Sequence, residues 1–122
     1  MKDKKILIVE DDLTSIKLME SILKRAGYTV LFVQDGSQAV EVAKKEKPNL
    51  ILLDIQLPGL PGTKIKEKLS TLPETKYIPT FFITSILNKD DEKELNNRFA
   101  GYFFLSKPVN PDAFLKEVSE RM

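Results

Sequence analysis

Short runs of consecutive apolar residues alternate along the chain with longer segments in which apolar residues recur every three or four positions. The runs are typical of β-strands and the longer segments of amphipathic helices. The predicted strands cover residues 6–9, 29–33, 50–53, 80–83 and 102–105. The predicted helices cover residues 13–26, 37–45 with Ser37 as its cap, 63–72 and 91–99, and a fifth begins at Asn110-Pro111.

The strands are continuously apolar rather than alternating, which predicts that both of their faces are buried, as in a parallel sheet. Right-handed crossovers between parallel strands place helices on both sides of such a sheet. The pattern therefore predicts an α/β fold, a doubly wound (βα)5 three-layer sandwich around one five-stranded parallel sheet. At 122 residues the chain suits a single domain, which we assign to residues 1–122.

The composition excludes several classes of chemistry. The chain has no cysteine and no histidine, which excludes disulfides, thiolate nucleophiles, Fe–S clusters and Ser–His–Asp triads. A metal bound by such a chain is a hard, oxygen-preferring ion such as Mg²⁺, Mn²⁺ or Ca²⁺. The 19 basic and 18 acidic side chains give a net charge of +1, which argues against binding of DNA or RNA.

The hydrophobic runs are too short for a membrane or export signal. No run approaches the roughly 20 apolar residues of a membrane span. Residues 1–5 lead directly into the strand at 6–9, which is too short for the apolar core of a signal peptide. Together with the lack of cysteine, this favours a cytoplasmic protein without membrane association.

Polar residues follow four of the five predicted strands, at the sheet edge where doubly wound folds bind their ligands. They are Glu10, Asp11 and Asp12 after the first strand, Asp54 after the third, Thr84 after the fourth and Lys107 after the fifth. If the first and third strands are neighbours, Glu10, Asp11 and Asp54 converge, and a divalent cation relieves their repulsion. Carboxylates, a metal, a hydroxyl and a lysine are the parts needed for phosphoryl transfer to an aspartate.

Each of these residues also has a purely structural interpretation. An acid after the first strand can cap the next helix, although three acids exceed that need. Asp54 can be a solvated loop carboxylate, but it closes the most apolar run, where an unused charge is costly. Threonine is common in strands and most lysines lie at surfaces, so the combination carries more weight than Thr84 or Lys107 alone.

The combination resembles the receiver domains of two-component response regulators, the CheY-like family, and nearly the whole chain looks like a small single-domain receiver. The matching positions are the acidic pair Glu10 and Asp11, the phosphoacceptor Asp54, the hydroxyl residue Thr84 and the pair Lys107-Pro108. Residues 54–62 match the loop motif D-x-x-[ML]-P-x-[ML]-x-G. The resemblance implies a flavodoxin-like sheet of order 2-1-3-4-5 and a cis peptide bond at Lys107-Pro108.

The resemblance implies a phosphorelay mechanism. A histidine kinase or histidine phosphotransfer protein supplies a phosphohistidine, and Asp54 attacks its phosphorus to form an acyl phosphate. Mg²⁺, with Mn²⁺ as an alternative ion, is held by Asp11, Asp54 and the Gln56 carbonyl, and by Glu10 through water. Such a chain is a signalling domain rather than an enzyme, with Mg²⁺-dependent transfer to its own aspartate, and the missing histidine belongs to its partner.

In such receivers Lys107 pairs with one phosphoryl oxygen and Thr84 donates to another. The resemblance also implies a switch, in which Thr84 moves toward the phosphoryl group and the ring of Phe104 swings inward. This biases the face of the fourth helix, fifth strand and fifth helix toward a downstream effector protein. Simple packing remains the alternative for Phe104, because phenylalanine lacks the hydroxyl of the commoner tyrosine, and an exposed ring would instead mark a partner surface.

Some positions depart from the family pattern. Glu10 replaces the commoner aspartate, and Pro61 replaces the usual aspartate before Gly62, which changes how the third helix is capped. Apolar Ile86 offers no group to orient water, so we predict slow autodephosphorylation.

We expect a monomer or a weak phosphorylation-dependent dimer. Because the chain stops at Met122, after the fifth helix, we expect no output domain, in either a stand-alone receiver or one excised from a longer regulator.

Three alternative functions remain open. An aspartyl phosphatase carries a second aspartate two residues after the nucleophile, where this chain has Gln56. A flavin-binding domain needs hydroxyls and glycines after the first strand, where Glu10 and the next two acids would repel phosphate. A pseudo-receiver has the fold without phosphorylation, and the full set of acids, hydroxyl and lysine argues against it.

Overall fold

A computed structural model of the chain describes residues 4–122; residues 1–3, which belong to the segment considered above for a signal peptide, lie outside the described residues. The strands are β1 Lys5–Val9, β2 Thr29–Val33, β3 Leu50–Leu53, β4 Thr80–Thr84, β5 Arg98–Phe99 and β6 Tyr102–Ser106. The helices are α1 Leu13–Arg25, α2 Ala39–Glu46, α3 Gly62–Thr71, α4 Lys89–Glu94 and α5 Pro111–Arg121. Between residues 4 and 122, no helix has the length and apolar character needed to cross a membrane.

The strands form one sheet in the order β2-β1-β3-β4-β6-β5. Five of them are parallel, and β5 is antiparallel to β6. The predicted doubly wound α/β fold is confirmed, and its five parallel strands have the predicted order of 2-1-3-4-5. The two-residue strand β5 is an addition at the edge that the hydrophobic pattern did not predict.

Two hydrophobic cores cover the opposite faces of the sheet. Ile6 and Ile8 of β1 point into the core closed by α1 and α5, and Leu7 and Val9 point into the core closed by α2 and α3. This explains why the central strands are apolar at every position. The edge strand β2 is an exception to the predicted burial on both faces: it has a neighbouring strand on one side only, and Phe32 is 41% exposed.

Capping residues fix where several helices begin. Asp12 accepts a hydrogen bond from the Ser15 backbone N–H at the start of α1, and Asn110 accepts one from the Ala113 N–H at the start of α5, as the sequence suggested. The prediction that Ser37 caps the second helix is wrong. Asp35 accepts hydrogen bonds from the N–H and hydroxyl of Ser37 instead, and residues 36–38 form a 3₁₀ turn before α2.

The predicted helix at residues 91–99 is correct only as far as Glu94. Asn88 and Asp91 form a reciprocal capping box that starts α4 two residues earlier, at Lys89. The helix then ends because Asn96 and Asn97 adopt positive φ angles of 52° and 58°, which asparagine tolerates better than most residues. The chain turns through Ala100 and Gly101, and residues 98–99 pair with β6 as a short hairpin.

Candidate functional site

The carboxyl ends of β1 and β3 bring two acidic residues side by side. Val9 lies opposite Leu53 in the parallel register, so the residues that follow them, Glu10 and Asp54, emerge as neighbours. The Asp54 backbone N–H donates to the Val9 carbonyl at 3.0 Å. Both side chains are buried, with 1% of Glu10 and 6% of Asp54 exposed.

Asp11 completes the acidic cluster from a more exposed position. One carboxylate oxygen from each of Glu10, Asp11 and Asp54 lies within 4.8 Å of the other two. The structure thus brings together the three carboxylates that the sequence places at strand ends. Asp12, the third acid of the run, is used as the cap of α1, which is the structural role considered for it. Its hydrogen bonds from Ser15 lower the pKa of the Asp12 carboxyl.

Lys107 lies between the two buried carboxylates. Its Nζ is 2.6 Å from Oε1 of Glu10 and 3.2 Å from Oδ2 of Asp54. The Lys107 backbone N–H donates to the Thr84 carbonyl at 2.8 Å, which fixes the start of the side chain beside β4. Burial alone would lower the pKa of the Lys107 ammonium, but the hydrogen bond and charge of Glu10 and the charge of Asp54 raise it above its usual value. The expected cis peptide bond at Lys107-Pro108 is present.

Burial dominates the protonation of Glu10. It raises the pKa of the Glu10 carboxyl from 4.5 to about 7, helped by the nearby charge of Asp54 and opposed by hydrogen bonds from Lys107 and the Asp12 N–H. One lysine therefore does not compensate both buried carboxylates fully. A divalent cation at the cluster would remove this deficit, because it stabilises the charged form of every carboxylate near it.

The acidic cluster and Lys107 face an open pocket of about 380 Å³. The residues that line it are Glu10, Asp11, Asp12, Ser15, Asp54, Gln56, Ser85 and Lys107. Their side chains offer oxygen donors and one ammonium group, so the pocket can hold a hard cation beside an anionic group. The Gln56 backbone N–H donates to Oδ1 of Asp54 at 3.3 Å, which ties the loop after β3 to the carboxylate.

Thr84 lies at the end of β4 but is fully buried. Its hydroxyl oxygen accepts a hydrogen bond from the Ile86 backbone N–H at 3.2 Å. Of the residues described in this part of the chain, Ser85 rather than Thr84 lines the pocket. The position of Ser85 directly after a strand end was a signal in the sequence for a role in this pocket.

Gly62 allows the loop after β3 to pack against the backbone of Asp54. A Cβ atom on Gly62 would lie 2.0 Å from the Asp54 carbonyl oxygen, so no other residue fits without a backbone shift. Pro61, at the cap position of α3, makes no side-chain hydrogen bond to the helix, whereas the Gly62 N–H donates to the Ile55 carbonyl at 2.9 Å. The loop that carries Gln56 is thus held by backbone contacts.

Phe104 of β6 is fully buried in the core on the α2 and α3 side of the sheet. It lies opposite Phe82 in the register of β4 and β6. The interpretation of Phe104 as an exposed aromatic residue at a partner surface therefore does not apply. Its ring is buried while the Thr84 hydroxyl still bonds the Ile86 N–H, so packing accounts for this position without a movement of Thr84.

Comparison with known proteins agrees with this geometry. The family model of the response regulator receiver domain matches residues 6–119. The polar-differentiation response regulator DivK of Brucella anthropi is 30% identical over 115 residues, covering 94% of this chain and 93% of that protein. Protein PilH of Pseudomonas aeruginosa is 32% identical over 115 residues and covers 94% of each.

A solved structure shows the same fold. The receiver domain of sensor histidine kinase PA1611 from Pseudomonas aeruginosa, with a magnesium ion coordinated in its active site cleft, superposes with a TM-score of 0.81. It is 27% identical and covers 98% of both chains. The match of the family model over most of the chain, the identity to response regulators and the acidic cluster at the strand ends have one explanation: the chain belongs to the response regulator receiver domain family, the signalling domains of two-component systems.

Proposed function

We propose that Asp54 is the phosphoacceptor of this receiver and takes a phosphoryl group from a phosphohistidine of a partner protein. The observation that carries the proposal is the position of the Asp54 carboxylate, 3.2 Å from Lys107 Nζ and within the cluster formed with Glu10 and Asp11. A carboxylate oxygen of Asp54 attacks the phosphorus, and the P–N bond breaks. Its electron pair stays on the imidazole, which takes up a proton from solvent, and Asp54 becomes an acyl phosphate.

The donor set fits Mg²⁺. The three clustered groups are all carboxylates, and a hard divalent cation prefers such oxygen ligands. Asp11 and Asp54 would hold the ion directly, with the Gln56 carbonyl, and Glu10 would act through water, with Mn²⁺ as an alternative ion. A bound cation supplies compensation for the negative charge of the transferring phosphoryl group. A magnesium ion in the cleft of the PA1611 receiver supports this assignment.

Two further residues complete the proposed site. Lys107 would release part of its contact with Glu10 and Asp54 and pair with a phosphoryl oxygen. Thr84 would rotate away from the Ile86 N–H and donate its hydroxyl hydrogen to another phosphoryl oxygen. Because Thr84 and Phe104 lie on adjacent strands, this movement couples the site to the face formed by α4, β6 and α5.

The absence of histidine from the chain assigns the phosphohistidine to a partner, a histidine kinase or histidine phosphotransfer protein. The α4–β6–α5 face would contact a downstream effector protein. We propose that the domain works in the cytoplasm as a monomer or weak phosphorylation-dependent dimer, without binding DNA or a membrane. Slow loss of phosphate is proposed because apolar Ile86 cannot orient an attacking water.

The test is incubation with Mg²⁺ and acetyl phosphate, followed by intact mass measurement. We expect one added phosphate in the wild-type protein, none in Asp54→Asn, and none when EDTA removes the metal. Asp112→Asn, an exposed change of the same kind on α5, is the matched control and is expected to be phosphorylated normally.

Two outcomes would contradict parts of the proposal. If the folded wild-type protein takes up no phosphate from acetyl phosphate, the chain is a pseudo-receiver. If the phosphate is lost within seconds after the donor is removed, the assignment of slow autodephosphorylation to Ile86 is wrong, although Asp54 remains the acceptor.

A further inference from the structure

The segment that carries Lys107 is held on both sides. On one side, the Lys107 N–H donates to the Thr84 carbonyl of β4. On the other side, α4 supplies the contacts through two side chains. Glu92 Oε2 accepts hydrogen bonds from the N–H and the hydroxyl of Ser106, both at 2.7 Å, and Lys89 Nζ donates to the Ser106 carbonyl at 2.8 Å and the Pro108 carbonyl at 3.1 Å.

These contacts satisfy backbone groups that would otherwise be unpaired. Ser106 is fully buried at the end of β6, and its N–H points away from β4 toward the sheet edge. The short strand β5 pairs only with Tyr102 and Phe103, so it does not reach Ser106. The Glu92 carboxylate takes the place of a neighbouring strand there, and a buried N–H left without a partner would be costly.

The Glu92 carboxylate is held in its charged form by this contact. Its side chain is 19% exposed. Burial would raise the pKa of the Glu92 carboxyl, but the hydrogen bonds from Ser106 and the charge of Lys89 outweigh burial and lower it. The two other acidic residues in the first turn of α4, Asp90 and Asp91, make no contact with this segment among the hydrogen bonds of residues 4–122. Of these three acidic residues, Glu92 is therefore the one that bonds the segment carrying Lys107.

We propose that Glu92, assisted by Lys89, is a positioning residue for Lys107. It holds the Ser106–Pro108 backbone so that the Lys107 ammonium reaches the Asp54 carboxylate in the geometry needed for phosphoryl transfer. This inference rests on the proposed function of Asp54 and adds a residue that never touches the phosphoryl group. It also makes α4 a mechanical part of the site, because any shift of the six-residue helix moves the support of Lys107.

The test compares initial rates of phosphorylation by acetyl phosphate at fixed Mg²⁺. Glu92→Ala is expected to reduce the rate about tenfold, since displacements near 1 Å can cost up to about a hundredfold. Glu92→Gln keeps an oxygen that accepts both hydrogen bonds from Ser106 and is expected to retain most of the rate. Glu94→Ala removes the same charge from an exposed position of α4 and is the matched control, with a wild-type rate.

A double-mutant cycle separates positioning from general damage to the fold. If Glu92 acts through Lys107, adding Glu92→Ala to Lys107→Met should change the remaining rate by less than about twofold. Mg²⁺ affinity, measured by calorimetry, should not fall in Glu92→Ala, because a displaced Lys107 leaves Glu10 and Asp54 in place and only withdraws a positive charge that competes with the cation. A full tenfold loss in both backgrounds, or an equal loss of Mg²⁺ affinity, would overturn the proposal.

The remaining outcomes are also decisive. If Glu92→Ala does not fold, Ser106→Ala and Lys89→Met replace it, because each removes part of the contact. Both are expected to reduce the phosphorylation rate by less than Glu92→Ala would. Wild-type rates in both variants would refute the inference. If wild-type protein is phosphorylated and Glu92→Ala is equally fast, only the positioning role fails. If the wild-type protein takes up no phosphate, the proposed function itself has failed.

Discussion

Glu10 shows how a single side chain links the stability of this domain to its chemistry. Its carboxyl group is almost fully buried, and burial raises its pKa to about 7. The charged form therefore destabilises the fold near neutral pH, even with Lys107 at 2.6 Å. A group that is costly when charged, in a cluster that can hold a cation, is typical of a site shaped for binding rather than for stability.

We expect Glu10→Gln to stabilise the protein at pH 8 in EDTA by about 1–3 kcal/mol. Since the folded-state pKa lies above 4.5, the folded protein binds an extra proton between about pH 4.5 and 7. The free energy of unfolding of the wild type should therefore fall as pH rises through this window, whereas the Glu10→Gln substitution removes that slope. Urea unfolding at several pH values measures both effects.

The same substitution should weaken the stabilisation that Mg²⁺ gives, because one carboxylate of the cluster is lost. Glu94→Gln, an exposed change on α4, serves as the control and should leave the pH slope unaltered. A variant Glu10→Gln that is less stable than wild type at pH 8 in EDTA would show that the contact with Lys107 outweighs the burial of the charge.

At the scale of elements, the segment between α4 and β6 departs most from the sequence prediction. The hydrophobic pattern placed a helix at 91–99, but Asn96 and Asn97 end it early and the hairpin turn at Ala100 and Gly101 follows. Ala100 adopts a φ of 53°, a left-handed conformation that is unfavourable for a residue with a Cβ atom. The hairpin forms in spite of this residue.

Ala100→Gly is expected to stabilise the domain by about 0.5–1 kcal/mol, because glycine adopts positive φ without the Cβ penalty and this gain exceeds its greater entropy loss. Ala113→Gly, at an exposed position within α5, is the matched control and should destabilise by up to about 1 kcal/mol. Thermal unfolding compares the two. Equal destabilisation by both changes would mean that the positive φ of Ala100 carries no strain.

The elements differ in how well the sequence predicts them, for physical reasons. Burial on both faces made β1 and β3 predictable, because it leaves a continuous apolar run in the sequence. A capping residue followed by apolar residues at helical spacing made α1 and α5 predictable. The pattern failed at α4, which has no buried residue of its own, so hydrogen bonds at its ends decide its length. The convergence of Glu10, Asp11 and Asp54 followed from their places at strand ends, on the condition that the first and third strands are neighbours, which the structure meets. The contact of Glu92 with Ser106 did not, because residues 14 apart meet only through tertiary packing.

At the scale of the whole molecule, the site lies between two regions of different construction. The core of α1, α5 and one face of the sheet is built from large aliphatic and aromatic side chains, and both helices begin at capping residues. By contrast, the α4 side is joined to the site through the side chains of Glu92 and Lys89. Polar contacts can be exchanged at lower cost than a packed core, so conformational change should concentrate on the α4 side.

Hydrogen exchange should reveal this asymmetry. On phosphorylation by acetyl phosphate and Mg²⁺, we expect the largest changes in amide exchange in residues 89–106, and little change in α2 at 39–46. Asp54→Asn under identical conditions is the control and should show no change in either region. Changes confined to the loops that line the pocket would mean that the phosphoryl group is not communicated to the α4–β6–α5 face.

The outer edge of β6 has a consequence for how partners can attach. Strand β5 pairs with Tyr102 and Phe103. The Asn97 carbonyl accepts a hydrogen bond from the Phe104 N–H, and the Asn97 side-chain amide donates to the Phe104 carbonyl. The Ser106 N–H donates to Glu92, and the Ser106 carbonyl accepts from Lys89. Unpaired backbone groups at a strand edge can pair with a strand of another protein. The outward-facing backbone groups of β6 already have these hydrogen-bond partners within the domain. Only the two-residue strand β5 still presents an outer edge, so a partner on this side should bind mainly through side chains. The same arrangement protects the domain against edge-to-edge aggregation.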